Sequence, residues 1–306
     1  MSGADASREG LPARGRAWGK VILLGEHAVV YGEPALAAAL ERGITAQAVP
    51  GSSELRVPAW GLTVRPGKGS QLERAFAAIV EATGQAAATV TAEPEIPSAA
   101  GLGSSAALAA AVARALTQDP AAVEAAVTAS ERVFHGNPSG VDAAMALGGG
   151  FGLYRRGIGL ERVKAEPFVL CVAYTGKKRD TSGLVARVAS MYQSDPQAVG
   201  KILGSVGTIV RQAQEALVQH KTEELGKLMN WNQELLVRLG VSCEEIEAAC
   251  KVALRSGALG AKLTGAGGGG CVIALAPGGE ERVLAGWRAA GFECFSVRCG
   301  VQHGAS

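Results

Sequence analysis

Three glycine-marked segments and one acidic stretch carry the residue types that phosphate chemistry needs. Gly101-Leu102-Gly103-Ser104-Ser105 follows a strand-like run ending near Ile96 and leads into an alanine-rich helical pattern over residues 104–116. Backbone N–H groups at such a helix start lack partners and sit at the positive end of the macrodipole, so they favour an anion. Glycines let the backbone approach phosphate, and the two serines add hydroxyls for phosphate or metal; a serine that only caps the helix would leave part of the same pattern. Glu131 lies near the end of a helical pattern over 121–134, and a turn through Gly136, Asn137, Pro138, Ser139 and Gly140 returns the chain to Asp142 at the start of another helix. That turn can swing Asp142 toward the cleft that Glu131 faces. Magnesium keeps most of its water and takes few protein oxygens, so Glu131 with Ser105 as companion is a sufficient metal set.

Asp142 is then placed to accept the proton of an attacking hydroxyl, with Lys20 beside it. A charge pair at ~4 Å in an effective dielectric of ~20 is worth about 4 kcal/mol. An aspartate so held is a weak base, and the loose transition state of phosphoryl transfer asks for little basicity. The structural alternatives are an Asp142 helix cap, a solvated Glu131 and a surface Lys20. His135 shares a helical face with Glu131, but a histidine closing a helix before glycine is the commoner pattern, and it is left out of the chemistry.

Two better-known phosphate motifs do not fit. Gly101-x-Gly103-x-x-Ala106 matches a relaxed dinucleotide fingerprint, yet Asp119-Pro120 leads into a helix where a second strand ending in an acidic residue is required. Gly61 to Gly67-Lys68 has the wrong spacing for a Walker loop and is followed by Gly69 rather than serine or threonine.

The elements that must position these residues are legible as patterns. Short strand-like pieces at 21–24, 45–49, 55–57 and 62–64 precede a helical pattern at 72–83 and a strand at 88–92, which makes the opening region mixed α/β. Strands at 148–154 and 168–174 flank a charged stretch, 155–166, where the domain boundary is placed. Helical patterns at 199–219, 222–239 and 243–256, then strands at 260–263, 271–276 and 293–298 around a helix at 280–290, make the second region α+β. The expected organisation is a disordered leader over 1–16, a first domain over 17–166 and a second over 167–306. A chain of 306 residues is comfortable for two domains. With 48% hydrophobic and 19% charged residues and a net charge of +2, no global field argues for nucleic acid or an anionic membrane. No apolar stretch approaches the ~20 residues of a spanning helix, and no secretory signal is visible, so a cytoplasmic location is expected. The six cysteines all lie in the second half without Cys-x-x-Cys spacing and read as buried free thiols.

Together the segments resemble the GHMP kinases. Gly19-Lys20 through Gly25-Glu26-His27-Ala28-Val29-Val30-Tyr31-Gly32 is similar to the first motif of that family, Pro97 to Ala106 to its ATP loop, and Lys262 to Gly270 to its third motif. The first of these, with His135-Gly136-Asn137-Pro138-Ser139-Gly140-Val141-Asp142, resembles the members that phosphorylate the 5-hydroxyl of mevalonate with ATP. The resemblance implies an α+β fold of two domains, a ribosomal-protein-S5-like one followed by a ferredoxin-like one. It implies that Asp142 and Lys20 act at the phosphoryl acceptor and that Ser105 and Glu131 bind Mg²⁺. Pro97, Ala99, Ala100, Gly101, Leu102, Gly103, Ser104, Ser105 and Gly267 would hold ATP. Glu26, His27, Asp142, Thr181, Gly265 and Ala266 would meet mevalonate, and the glycine loop 265–269 would close over the cleft. The family also suggests a homodimer. Trp18 departs from the proline that usually precedes Gly-Lys. Other acceptors within the family (phosphomevalonate, homoserine, a sugar) and a non-catalytic binding member are the alternatives.

Overall fold

The computed structural model describes residues 14–85, 87–98, 100–136, 138–177 and 181–301. Of the leader expected over 1–16, residues 1–13 lie outside the described residues, and 14–16 open the first strand, β1 (Arg14–Leu24). Arg16 is tied down there, its guanidinium 3.1 Å from Glu95 and its carbonyl accepting from Arg114 at 2.7 Å. The chain forms two compact units. Of the described residues, the first holds 14–17, Gly43–Ile96 and Ser105–Pro138; the second holds Trp18–Arg42, Pro97–Ser104 and those over 139–301.

In the first unit, residues 44–50 of β2 (Ala35–Pro50) pair antiparallel with β5 (Ala88–Pro94), and β3 (Glu54–Val57) joins β5 in parallel and β4 (Leu62–Val64) antiparallel. Ile44, Ala46 and Ala48 point inward while Gln47 and Val49 face out, the period of two that a half-buried strand requires. Helix α1 (Gln71–Thr83) starts because Ser70 Oγ accepts from Glu73 N, and it packs on α3 (Pro120–His135). Asp119 caps α3, and Pro120 occupies a first-turn position whose missing N–H is no loss. Helix α2 (Ser104–Leu116) buries ten of its thirteen residues, as an alanine-rich helix without a polar face must.

The second unit is built on an antiparallel sheet in the order β11 (Glu293–Cys299), β8 (Phe168–Tyr174), β10 (Cys271–Leu275) and β9 (Gly260–Thr264). Residues 35–38 of β2 pair with β6 (Phe151–Arg155), which in turn pairs with β7 (Gly159–Val163). Helices α7 (Thr222–Arg238), α8 (Glu244–Arg255) and α9 (Glu280–Ala289) cover the sheet, and α6 (Pro196–Val218) packs on α7. Trp287 is fully buried there, with its indole N–H donating to Ala249 O at 2.8 Å. The remaining helices are α4 (Val141–Gly148) and α5 (Thr181–Ser194).

Sequence periodicity missed three of these elements. Residues 35–40 are buried on both faces, so no alternation marks them as strand. Strand β7 falls inside the charged stretch 155–166, and α5 begins Thr-Ser-Gly, which reads as a turn. Four cysteines are buried as expected, but Cys243 and Cys294 are only half-buried, and all six are free thiols. No helix among the described residues is long and apolar enough to cross a membrane.

Candidate active site

The reacting end of the site is assembled in the second unit from β1, the loop before α2 and the start of α4. The strand β1 becomes continuously buried from Gly19 to Leu24, which carries Lys20 inward although lysine is normally a surface residue. Lys20 Nζ lies 2.9 Å from Asp142 Oδ1; the lysine side chain is 4% exposed and the aspartate 26%, so the carboxylate faces solvent while its partner does not. Asp142 is not the cap of α4. Gly140 occupies that position, and Asp142 stands in the first turn. Gly140 has φ +93°, and a Cβ there would collide with the hydroxyl of Tyr154, a tyrosine that periodicity did not single out.

The phosphate loop meets the same lysine. Lys20 N donates to Leu102 O at 2.8 Å, and Gly103 adopts φ +73° with its Cα facing the lysine stem. A Cβ at Gly103 would sit 2.9 Å from Lys20 Cγ and in a backbone region that side chains avoid. Gly103→Ala is therefore expected to lower kcat/KM by about 10²-fold, the cost of misplacing a reacting group by about 1 Å. Steady-state kinetics check this, and wild-type activity in the variant would free the loop from that role.

The first and third motifs are stitched together by buried polar contacts. On β9, side chains alternate, so Leu263 enters the sheet core while Lys262 and Thr264 face the first motif, both fully buried. Thr264 Oγ1 accepts from Ile22 N at 2.9 Å and donates to Ile22 O at 3.1 Å. Lys262 Nζ lies 2.5 Å from Glu26 Oε1, with 0% and 1% of the side chains exposed, and also donates to Leu263 O. Burial drives both groups toward their neutral forms, Glu26 up and Lys262 down, and their mutual attraction opposes this. Removing one partner of such a buried pair typically costs roughly 3–5 kcal/mol, because the other is left uncompensated. His27 has φ +60° and its Nε2 lies 2.8 Å from Ala266 O, which fixes Nε2 as the protonated nitrogen; burial pushes its pKa down, with the Ala266 carbonyl acting weakly the other way. Gly25 N donates to Asn232 Oδ1 on α7 at 3.3 Å. The glycine loop itself is held by Gly268 N to Val241 O and Gly270 N to Lys177 O.

The metal candidates meet in the first unit. Ser105 Oγ donates to Glu131 Oε1 at 2.8 Å, so this serine spends its hydroxyl on the carboxylate, and Glu131 is 3% exposed. His135 Nε2 stands 3.7 Å from Glu131 Oε2. Carboxylate and hydroxyl are hard oxygen donors and fit Mg²⁺. Among the described residues no group of three or more His, Cys, Asp or Glu side chains is placed to hold a metal ion.

The remaining candidates are distributed as follows. Pro97 is exposed, Ala100, Gly101 and Leu102 are buried, and Ser104 opens α2. Thr181 is the first residue of α5, and Gly265, Ala266 and Gly267 form the turn after β9. Ala99, Asn137, Arg179 and Asp180 lie outside the described residues. Trp18 sits within β1 and packs beside Ile22, Val29 and Val141, so its departure from proline falls in a strand rather than a turn. Lys262, Thr264 and Asn232 were missed as site residues. For the first two the signal was present in the third motif; for Asn232 there was none.

Two family models, described as GHMP kinases N terminal domain and GHMP kinases C terminal, match residues 70–150 and 213–293. The chain belongs to the GHMP kinases and has their mixed α+β, two-domain fold. Relatives similar over most of this chain include mevalonate kinases. The mevalonate kinase of Thermococcus sibiricus is 35% identical over 89% of this chain and 91% of its own, and that of Methanothermobacter thermautotrophicus 35% identical over 91% and 96%. The crystal structure of L. major mevalonate kinase in complex with R-mevalonate superposes with a TM-score of 0.80 at 31% identity, covering 96% of this chain and 97% of that one.

Proposed function

We propose that this chain transfers the γ-phosphoryl group of ATP to the 5-hydroxyl of (R)-mevalonate, giving 5-phosphomevalonate for isoprenoid synthesis, and that it does so in the cytoplasm. The observation that carries this reading is the Lys20–Asp142 pair at 2.9 Å, a buried cation holding a solvent-facing carboxylate, in a chain akin to mevalonate kinases over nearly its whole length. Asp142 orients the acceptor hydroxyl and takes its proton as the oxygen bonds to phosphorus. Lys20 keeps Asp142 in place and offsets charge that develops at the transferred group. Backbone amides of Gly101 to Ser104 cradle the triphosphate, with Pro97, Ala100 and Gly267 around the nucleotide. Glu26, His27, Thr181, Gly265 and Ala266 contact mevalonate. Glu131 and Ser105 hold Mg²⁺, which when bound neutralises phosphate charge.

The test is ADP release with Mg-ATP and a panel of mevalonate, phosphomevalonate, homoserine and galactose, with the product's regiochemistry read by phosphorus NMR. Turnover of mevalonate alone, at its 5-hydroxyl, is expected. Turnover of another member of the panel overturns the substrate and leaves the catalytic residues standing; silence on all four overturns the reading.

A further inference from the structure

Lys262 belongs to a motif of which the proposed function uses only the glycine loop, yet among the described residues it is a fully buried charged side chain, and its partner Glu26 precedes His27. Period-two alternation sets Lys262 and Thr264 on one face of β9, and Thr264 clamps Ile22, two residues from Lys20. Lys20 is near enough for its charge to bear on both Glu26 and Lys262. The charges therefore alternate in sign, from Lys262 to Glu26 to Lys20 to Asp142. Lys20 holds its 2.9 Å contact with Asp142 while Glu26, whose carboxylate feels the Lys20 charge, is taken by Lys262. Oε2 of Glu26 has no hydrogen-bond partner, so Lys262 is the chief compensation for that carboxylate.

We propose that Lys262 is a positioning residue that engages Glu26 and thereby leaves the Lys20 ammonium to Asp142. This rests on the proposed phosphotransfer reading for its kinetic consequence but not for its electrostatic one. The titratable and charged groups facing the pair are Lys20 on β1, Cys250 on α8 and the neighbouring His27. In the native chain the pair is net neutral wherever its proton resides, so it adds no charge at Lys20 as pH changes. In Lys262→Met the largest influence lowering the Glu26 pKa is gone, and the buried carboxyl titrates above the ordinary carboxylate range. Below that ionisation Glu26 is neutral and Lys20 stays with Asp142. Above it an uncompensated carboxylate competes with Asp142 for Lys20, so activity falls as pH rises.

The experiment compares wild type, Lys262→Met and the double variant Glu26→Gln/Lys262→Met, in kcat across pH 5–9 and in a carbon-13 NMR titration of the glutamate carboxyls. The ratio of Lys262→Met to wild type is expected to drop about tenfold or more through a single ionisation that NMR assigns to Glu26. The double variant, with no charge left to titrate, should keep a pH-independent ratio to wild type, and it supplies the comparison should the single variant fold poorly. A flat ratio for Lys262→Met, or a Glu26 carboxyl that titrates as in wild type, overturns the proposal. Inactive wild-type protein instead overturns the mevalonate reading and leaves the NMR titration as the test of Lys262.

Discussion

Replacing Asp142 with asparagine is expected to lower kcat by about 10²–10⁴-fold, the range over which a positioned proton acceptor contributes, with far less change in KM for mevalonate. Asparagine keeps the size of the side chain and an oxygen that can reach Lys20 Nζ, so geometry is preserved while the charge and the proton-accepting capacity are lost. The structure also separates this effect from folding. Gly140, not Asp142, caps α4, so Asp142 contributes to that helix only as a negative charge in its first turn, worth about 0.3–1 kcal/mol. Lys20 keeps an oxygen partner but loses its counter-charge, so the melting temperature should fall as well, while turnover of the folded variant collapses. Steady-state kinetics beside a melting curve measure both. Turnover within a factor of three of wild type would remove Asp142 from the proton transfer.

The second large effect is expected at Glu131. In Glu131→Gln the amide oxygen can still accept from Ser105 Oγ, but the negative charge is gone. The Mg²⁺ concentration for half-maximal rate should rise by at least about tenfold, and kcat at saturating ATP should fall with it. Because Glu131 is 3% exposed, a neutral amide in its place relieves desolvation, and the fold should survive. A magnesium titration of the initial rate reads this directly, and an unchanged half-saturation point would move the metal ligand elsewhere.

These effects differ in how far sequence alone could anticipate them. The phosphate loop was legible because its signals are local: glycines whose backbone must come close to a ligand, and a helix whose first amides have no partners. The neighbourhood of Lys20 was harder. Nothing in Gly19-Lys20-Val21-Ile22 states that the lysine is buried, since burial depends on which strand runs alongside, and a lone lysine reads by default as a surface charge. Residues 35–40 went unread as strand for a related reason, because burial on both faces erases the alternation that marks a strand.

By itself the sequence determined the local chemistry: which segments can turn tightly, where helices begin, which residues carry hydroxyl, carboxylate and ammonium groups, and in what order along the chain. Those properties depend on neighbours within a few residues and leave a periodic or compositional mark. The tertiary structure alone decided which charges meet. Lys262 with Glu26, Thr264 with Ile22, and Asn232 with Gly25 are separated by 236, 242 and 207 positions. A pairing at such distance imposes no spacing on the sequence, and its strength comes from the exclusion of water around it, which exists only once the strands and helices have packed.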